Sequence, residues 1–215
     1  MTSMLDFYYN ITFQTACENE FLTYLLLFNS FLFLNIFIMA ITKWIVDPTH
    51  SEVQFKIKHL VISTITGSFN NFEGGATSDL NNFESAEIHF SLDVNSIDTN
   101  VEMRDAHLKS ADFFDAEQFP HITFQSNYFH KVKGDNYKLS GLLTLKGVTK
   151  PIELDAEYGG MEKDAEGKVR IGFEVEGRLS RQEFGLNYMQ LTDSGGLLIG
   201  EDVKLIANIQ LVRQE

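Results

Sequence analysis

Glu52-Val53-Gln54-Phe55-Lys56-Ile57-Lys58-His59 decides the fold. Val53, Phe55, Ile57 and His59 fall on one face of an extended chain, and Glu52, Gln54, Lys56 and Lys58 fall on the other. A helix would repeat its apolar positions every three to four residues, whereas these repeat every two. The same alternation returns at Ala86, Ile88, Phe90, Leu92 and Val94, and at Val169, Ile171, Phe173 and Val175. It returns again from Val203 through Leu205, Ala207, Ile209 and Leu211. A period of two with one wet face marks antiparallel sheet.

Working outward, β-rich runs near 44–46, 51–59, 61–73, 86–97, 121–133, 136–146, 150–158, 168–180 and 202–212 fill the domain. Turn chemistry between them is clearest at Gly74-Gly75, Gly134-Asp135, Gly159-Gly160 and Gly195-Gly196. So many short strands would leave long edges in one open sheet, and closure into a barrel or pairing into a sandwich removes them. One stretch departs from the pattern. Thr99-Asn100-Val101-Glu102 fits a capping box with Thr99 as N-cap, and the sequence that follows is compatible with helix until Pro120. The expectation is an all-β domain with one or two short helices inserted around 99–118, placed as a lid or plug over one barrel end.

Composition bounds the partners. The chain of 215 residues carries 17 basic and 30 acidic side chains, a formal charge of -13. That balance disfavours nucleic acid and anionic headgroups, which are polyanions. A single cysteine, Cys17, excludes an internal disulfide and a cysteine-rich zinc site. Residues 1–42 contain no Lys or Arg, and Phe21 to Ile41 is almost wholly apolar, about 31 Å long as a helix. Residues 1–42 therefore read as a segment apart from a β domain at 43–215. Three origins are open: a membrane anchor, a secretory signal lacking its positive region, or an upstream mis-assigned start, with Met39 opening the true chain. A start at Met39 implies a cytoplasmic protein, and a functional 21–41 segment implies a membrane-anchored or periplasmic one.

No P-loop, GxGxxG, GxSxG, HExxH or EF-hand pattern occurs. No pair among the six histidines has helical i, i+4 or strand i, i+2 spacing, so no metal site is expected. Asp47, His50 and Ser51 are too close in sequence for a nucleophile–base–orienter chain and better serve the backbone of a turn. Arg104, Asp105 and His107 form a polar cluster, either a mouth for a ligand head or a network pinning a helix to the rim. Arg178 and Arg181 admit the same two readings. The domain is rich in phenylalanine, and a closed eight-strand barrel has room for side chains or for one slender ligand. A phenylalanine-lined cavity would suit a hydrocarbon chain.

Several separated motifs carry a resemblance. WIVDPTHSEVQFKIKHL at 44–60, GSFNNFEGG at 67–75, SIDTNVEMRDAHLKSADFFDAEQFPHITF at 96–124, GLLTLKGVTKPIEL at 141–154 and RQEFG at 181–185 resemble, in order, the YceI-like polyisoprenoid-binding family. The resemblance implies a lipocalin-like antiparallel β-barrel of about eight strands. It implies that a polyprenyl or isoprenoid quinone-like lipid is held inside without chemical change, with no cofactor. The expected ligand-binding residues are His50, Phe55, His59, Phe69, Phe72, Arg104, Asp105, His107, Phe113, Phe114 and Phe124, with no catalytic residue. Transient exchange with a membrane and a homodimer are compatible with this reading, and nucleic acid is not.

The energetics permit it. Burying a methylene is worth about 0.8 kcal/mol, so one isoprene unit is worth roughly 3–4 kcal/mol from water. Six units would exceed the practical ceiling of roughly 18–21 kcal/mol. A lipid arriving from a bilayer leaves hydrocarbon for hydrocarbon, so its transfer is near balance and the protein acts as carrier or store. Two rivals make different demands. An enzyme acting on a small apolar substrate needs a buried acid–base pair, for example His59 with Asp105. A β-sandwich that recognises protein through an edge strand needs no interior cavity.

Overall fold

The alternating runs become eleven antiparallel strands in the computed structural model, which describes residues 41–79, 82–191 and 198–214. They are β1 (Ile41–Val46), β2 (Glu52–His59), β3 (Ser63–Phe69), β4 (Phe72–Asp79), β5 (Asn82–Asp93), β6 (Ile97–Asp98), β7 (His121–Lys133), β8 (Asn136–Leu145), β9 (Val148–Lys163), β10 (Val169–Ser180) and β11 (Ile199–Arg213). Of the apolar N-terminal segment read over 1–42, residues 1–40 lie outside the described residues, and Ile41 and Thr42 belong to β1.

The strand order β1-β4-β5-β7-β8-β9-β10-β11 closes on itself through β1–β11, with Trp44 opposite Arg213 and Val46 opposite Leu211. This is a ring of eight, and closure leaves no edge to protect. The remaining strands lengthen its walls. β11 pairs with β1 at one end and with β2 along Ile199–Asn208, so β1 and β2 act as one staff interrupted at Asp47–Ser51. β3 and β4 form a second such staff, interrupted at Asn70 and Asn71, and β6 continues the β5 position against β3. Each staff pairs with the next in the chain. The edge-recognising sandwich is thereby excluded.

Two glycine pairs expected as turns lie inside strands. Gly74 and Gly75 belong to β4 because the wall there is crowded. A Cβ on Gly75 would stand 2.4 Å from the Trp44 carbonyl oxygen, and one on Gly74 would stand 2.5 Å from the Phe90 ring. Gly159 and Gly160 sit within β9, where the register against β10 slips by one residue, and Gly160 has a φ of 119°. They mark a bulge, which glycine accommodates without strain. The turn at Gly134-Asp135 is as expected, and Gly195-Gly196 lies outside the described residues.

The inserted helix is α1 (Glu102–Lys109), followed by turns to Pro120. The capping box does not form. Val101 is the N-cap and offers no side-chain bond, because Thr99 is buried and engaged elsewhere. Among the described residues no helix is long and apolar enough to cross a membrane.

The interior has two apolar clusters. One packs Trp44, Phe83, Phe129, Tyr137 and Ile171 near the end closed by the 134–135 and 164–167 turns. Trp44 is 1% exposed, and its Nε1–H donates to Ser78 Oγ at 3.0 Å, which removes the cost of burying the indole donor. The other cluster packs Phe55, Phe69, Ile97, Phe184 and Leu186 towards the end that carries α1.

Candidate functional site

Between the two clusters the barrel is hollow. The cavity has a volume of about 630 Å³, within the range of small-molecule sites. Its origin is a belt of small inward residues on four adjacent strands. Val53, Ala207, Val175 and Ala156 stand in cross-strand register on β2, β11, β10 and β9, and all four line the space. Phe83, Phe129 and Phe173 form the floor, with Phe173 meeting the other two rings edge-on at 5.8 Å. Edge-to-face contact suits the ring quadrupoles and fixes the floor in one arrangement.

The mouth is polar by comparison. Arg104, His107, Arg181, Tyr188 and Gln190 all line the cavity there. Arg104 Nε donates to Thr99 Oγ1 and Nη2 donates to Thr99 O, each at 2.7 Å. The Thr99 amide and hydroxyl both donate to Asp105 Oδ1. Thr99 thus gathers both charges and anchors α1. His107 Nε2 lies 2.9 Å from Asp112 Oδ2, and its ring stands edge-on to Phe113 and Tyr188. The helix therefore forms part of a lid pinned by polar contacts, which also presents Arg104 and His107 to the cavity.

Arg181 is the least expected feature. It is 2% exposed, with Nε donating to Gly200 O at 2.9 Å and Nη1 donating to Leu186 O. Its Nη2 has no partner among the described residues. Burial pushes its pKa below the ordinary arginine value, against the opposing pull of Glu201, yet a guanidinium stays charged. A cation with no bonded carboxylate among the described residues is thus built into the wall at the mouth. Sequence could set Arg181 beside Arg178 at a strand end but could not show which of the two turns inward.

The expected ligand-binding residues divide. Phe55, His59, Phe69, Arg104, His107, Phe113, Phe114 and Phe124 line the cavity. Phe72 does not line the cavity; it packs against the interior cluster with its ring stacked on cavity-lining Phe90 at 5.7 Å. Asp105 serves Thr99 and does not line the cavity. His50 lies in an exposed turn, its Nδ1 2.9 Å from Asp47 Oδ2, and is not brought to the cavity. Ser51 Oγ accepts from the Gln210 amide instead of facing His50, so Asp47, His50 and Ser51 are a turn and not a triad. The acid–base pair demanded by an enzyme is not assembled from His59 and Asp105. Among the described residues no group of three or more His, Cys, Asp or Glu could hold a metal ion.

Comparison with known proteins agrees with this architecture. The model of the YceI-like domain matches residues 44–211. A UPF0312 protein of Pectobacterium atrosepticum is 40% identical over 169 residues, covering 79% of this chain and 84% of its own. The crystal structure of the Campylobacter jejuni YCEI protein is 32% identical with a TM-score of 0.64, covering 74% of this chain and 91% of that one. A polyisoprenoid binding domain from Saccharophagus degradans shares the fold at 16% identity, with a TM-score of 0.61 over 80% of this chain and 98% of that one. On the family match and the sequence identity together, this chain belongs to the YceI-like domain family.

Proposed function

We propose that the barrel binds a long-chain isoprenoid lipid, polyprenyl or quinone-like, and carries or stores it without turnover. The observation that carries this reading is the cavity itself: a predominantly apolar shaft with an aromatic floor, a belt of small side chains and a cluster of polar groups at the mouth. Such a space places a hydrocarbon tail inward and a head outward. The structural neighbour described as a polyisoprenoid binding domain supports the ligand class.

Arg181 refines the head. The field of this buried cation, whose Nη2 has no partner among the described residues, favours an acceptor-rich head, such as a carbonyl or a phosphate ester, over a bare hydrocarbon end. Absence of turnover is inferred from the polar groups of the mouth. Arg104 and Asp105 are both bound to Thr99, and His107 is bound to Asp112. Asp105, committed to Thr99 and outside the cavity lining, is not available as the partner of cavity-lining His59.

The test is a chain-length series. Delipidated protein is titrated with polyprenyl alcohols of increasing length by calorimetry. Affinity should rise with each isoprene unit and level off once the shaft is filled. An affinity independent of chain length would overturn the proposal.

A further inference from the structure

The loop joining β2 to β3 is Leu60-Val61-Ile62, three large apolar residues in succession at the tip of a hairpin. Leu60 is 37% exposed, Val61 74% and Ile62 86%. Nothing in the fold requires this. Leu60 and Val61 have φ values of 53° and 66°, a region that favours glycine or asparagine and penalises a β-branched residue most. A turn of this shape would be more stable, and better hydrated, with the usual Gly or Asn residues. Both conformational strain and exposed apolar surface are retained at one spot.

The place is informative. His59 and Ser63, the residues flanking the loop, both line the cavity. The Leu60 amide donates to Leu198 O at 2.9 Å, and the Leu198 amide donates to Gln190 O at 2.9 Å. Leu198 and Gln190 line the cavity too, and Gln190 lies between exposed Met189 and Leu191. The exposed apolar groups therefore border the mouth through a continuous chain of hydrogen bonds.

We propose that the Leu60–Ile62 tip, flanked by Met189 and Leu191, inserts into the apolar layer of a lipid bilayer and sets the mouth against it for cargo exchange. This rests on the lipid-carrier reading of the cavity. A bilayer is the favoured occupant because the patch is continuous with the opening through which a membrane lipid would pass. A hairpin turn this exposed is suited to penetrate a fluid medium. The net charge of -13 repels anionic surfaces, so insertion is driven by the apolar tip and is insensitive to salt.

The test uses the full chain with phosphatidylcholine vesicles carrying brominated acyl chains, which quench nearby tryptophan. The Ile62→Trp variant adds a reporter at the tip. Trp44, the sole tryptophan of the chain, is buried at the opposite end and supplies the baseline in the unsubstituted protein. Quenching should exceed that baseline clearly, at low and high salt alike. A second variant combines Val61→Gly, which suits the positive φ, with Ile62→Ser. It should slow lipid transfer to vesicles at least fivefold while the lipid retained on purification stays the same. Quenching at the baseline, quenching abolished by salt, or unchanged transfer would overturn the docking proposal. So would a change in the emission of the Ile62→Trp variant with protein concentration in place of vesicle quenching, which would assign the patch to a second copy. Loss of retained lipid from the unsubstituted protein would instead defeat the cavity reading, and the quenching result would still stand on its own.

Discussion

Arg170 Nη1 bonds Asp47 Oδ2 across 123 residues of sequence. Asp47 directly follows β1 at the interruption of the first staff and Arg170 is the second residue of β10, while Arg170 Nε also donates to Asp164 Oδ2 at 2.6 Å in the β9–β10 turn. One arginine thus ties the kink of the first staff to the far-end hairpin. The hydrogen bond from the Thr49 hydroxyl, then those of His50 and Arg170, hold the Asp47 carboxyl well below the usual carboxylate range.

A depressed carboxylate stabilises the fold above its unfolded pKa of about 3.9, and the contribution is lost as pH falls through the lower folded value. Asp47→Asn should therefore cost about 2 kcal/mol at neutral pH, the scale of hydrogen bonds to a charged group. The cost should shrink below about pH 4. Urea denaturation followed by Trp44 fluorescence at several pH values checks both parts.

Gly75→Ala should destabilise. Alanine in a strand is ordinarily the better residue by roughly 0.5–1 kcal/mol. Here its Cβ would meet the Trp44 carbonyl oxygen at 2.4 Å, and backbone cannot swing aside. Overpacking of this kind costs about 1–3 kcal/mol, or a Tm lower by roughly 3–10 °C in a domain of this size. Thermal denaturation would show it.

Thr99→Val keeps the shape of a buried residue and removes the hydroxyl that joins Arg104 to Asp105. The expected loss is about 1–3 kcal/mol. Bound lipid should also leave faster, because α1 is part of the lid. Thr99→Ser should restore both. Equal release rates in all three proteins, followed in a lipid-transfer assay, would separate α1 from the mouth.

Ala207→Trp places a large ring in the belt of small side chains shared with Val53, Val175 and Ala156. It fills existing space, so the barrel should fold while its lipid content falls at least tenfold. Extraction and mass analysis of the purified variant provides the measurement.

The barrel was largely legible because alternation is local. Each residue of β2 or β11 declares its face within its own strand. The floor and mouth were legible in part. Phe55, Phe69 and Phe124 are inward by alternation, and the His107 and Phe113 region follows from the helix and Pro120. His50 was drawn towards the ligand by its position in a distinctive run, yet its Nδ1 is turned to Asp47. Gly74-Gly75 and Gly159-Gly160 read as turns because sequence cannot tell a glycine needed for φ from one needed for close approach. The hollow was least legible. Ala156 and Ala207 look like ordinary core residues until the register sets them side by side. Arg181 was invisible as a buried cation for the same reason, since its surroundings come from the Leu186 and Gly200 carbonyls of a loop and a distant strand.

The central claim is that the barrel of the native protein holds an isoprenoid lipid, and native mass spectrometry of protein purified gently from its own cells tests it most directly. The predicted result is an adduct that is released on denaturation and whose hydrocarbon part is a multiple of the isoprene unit. A ligand-free protein, or an adduct built on a straight acyl chain, would contradict the claim.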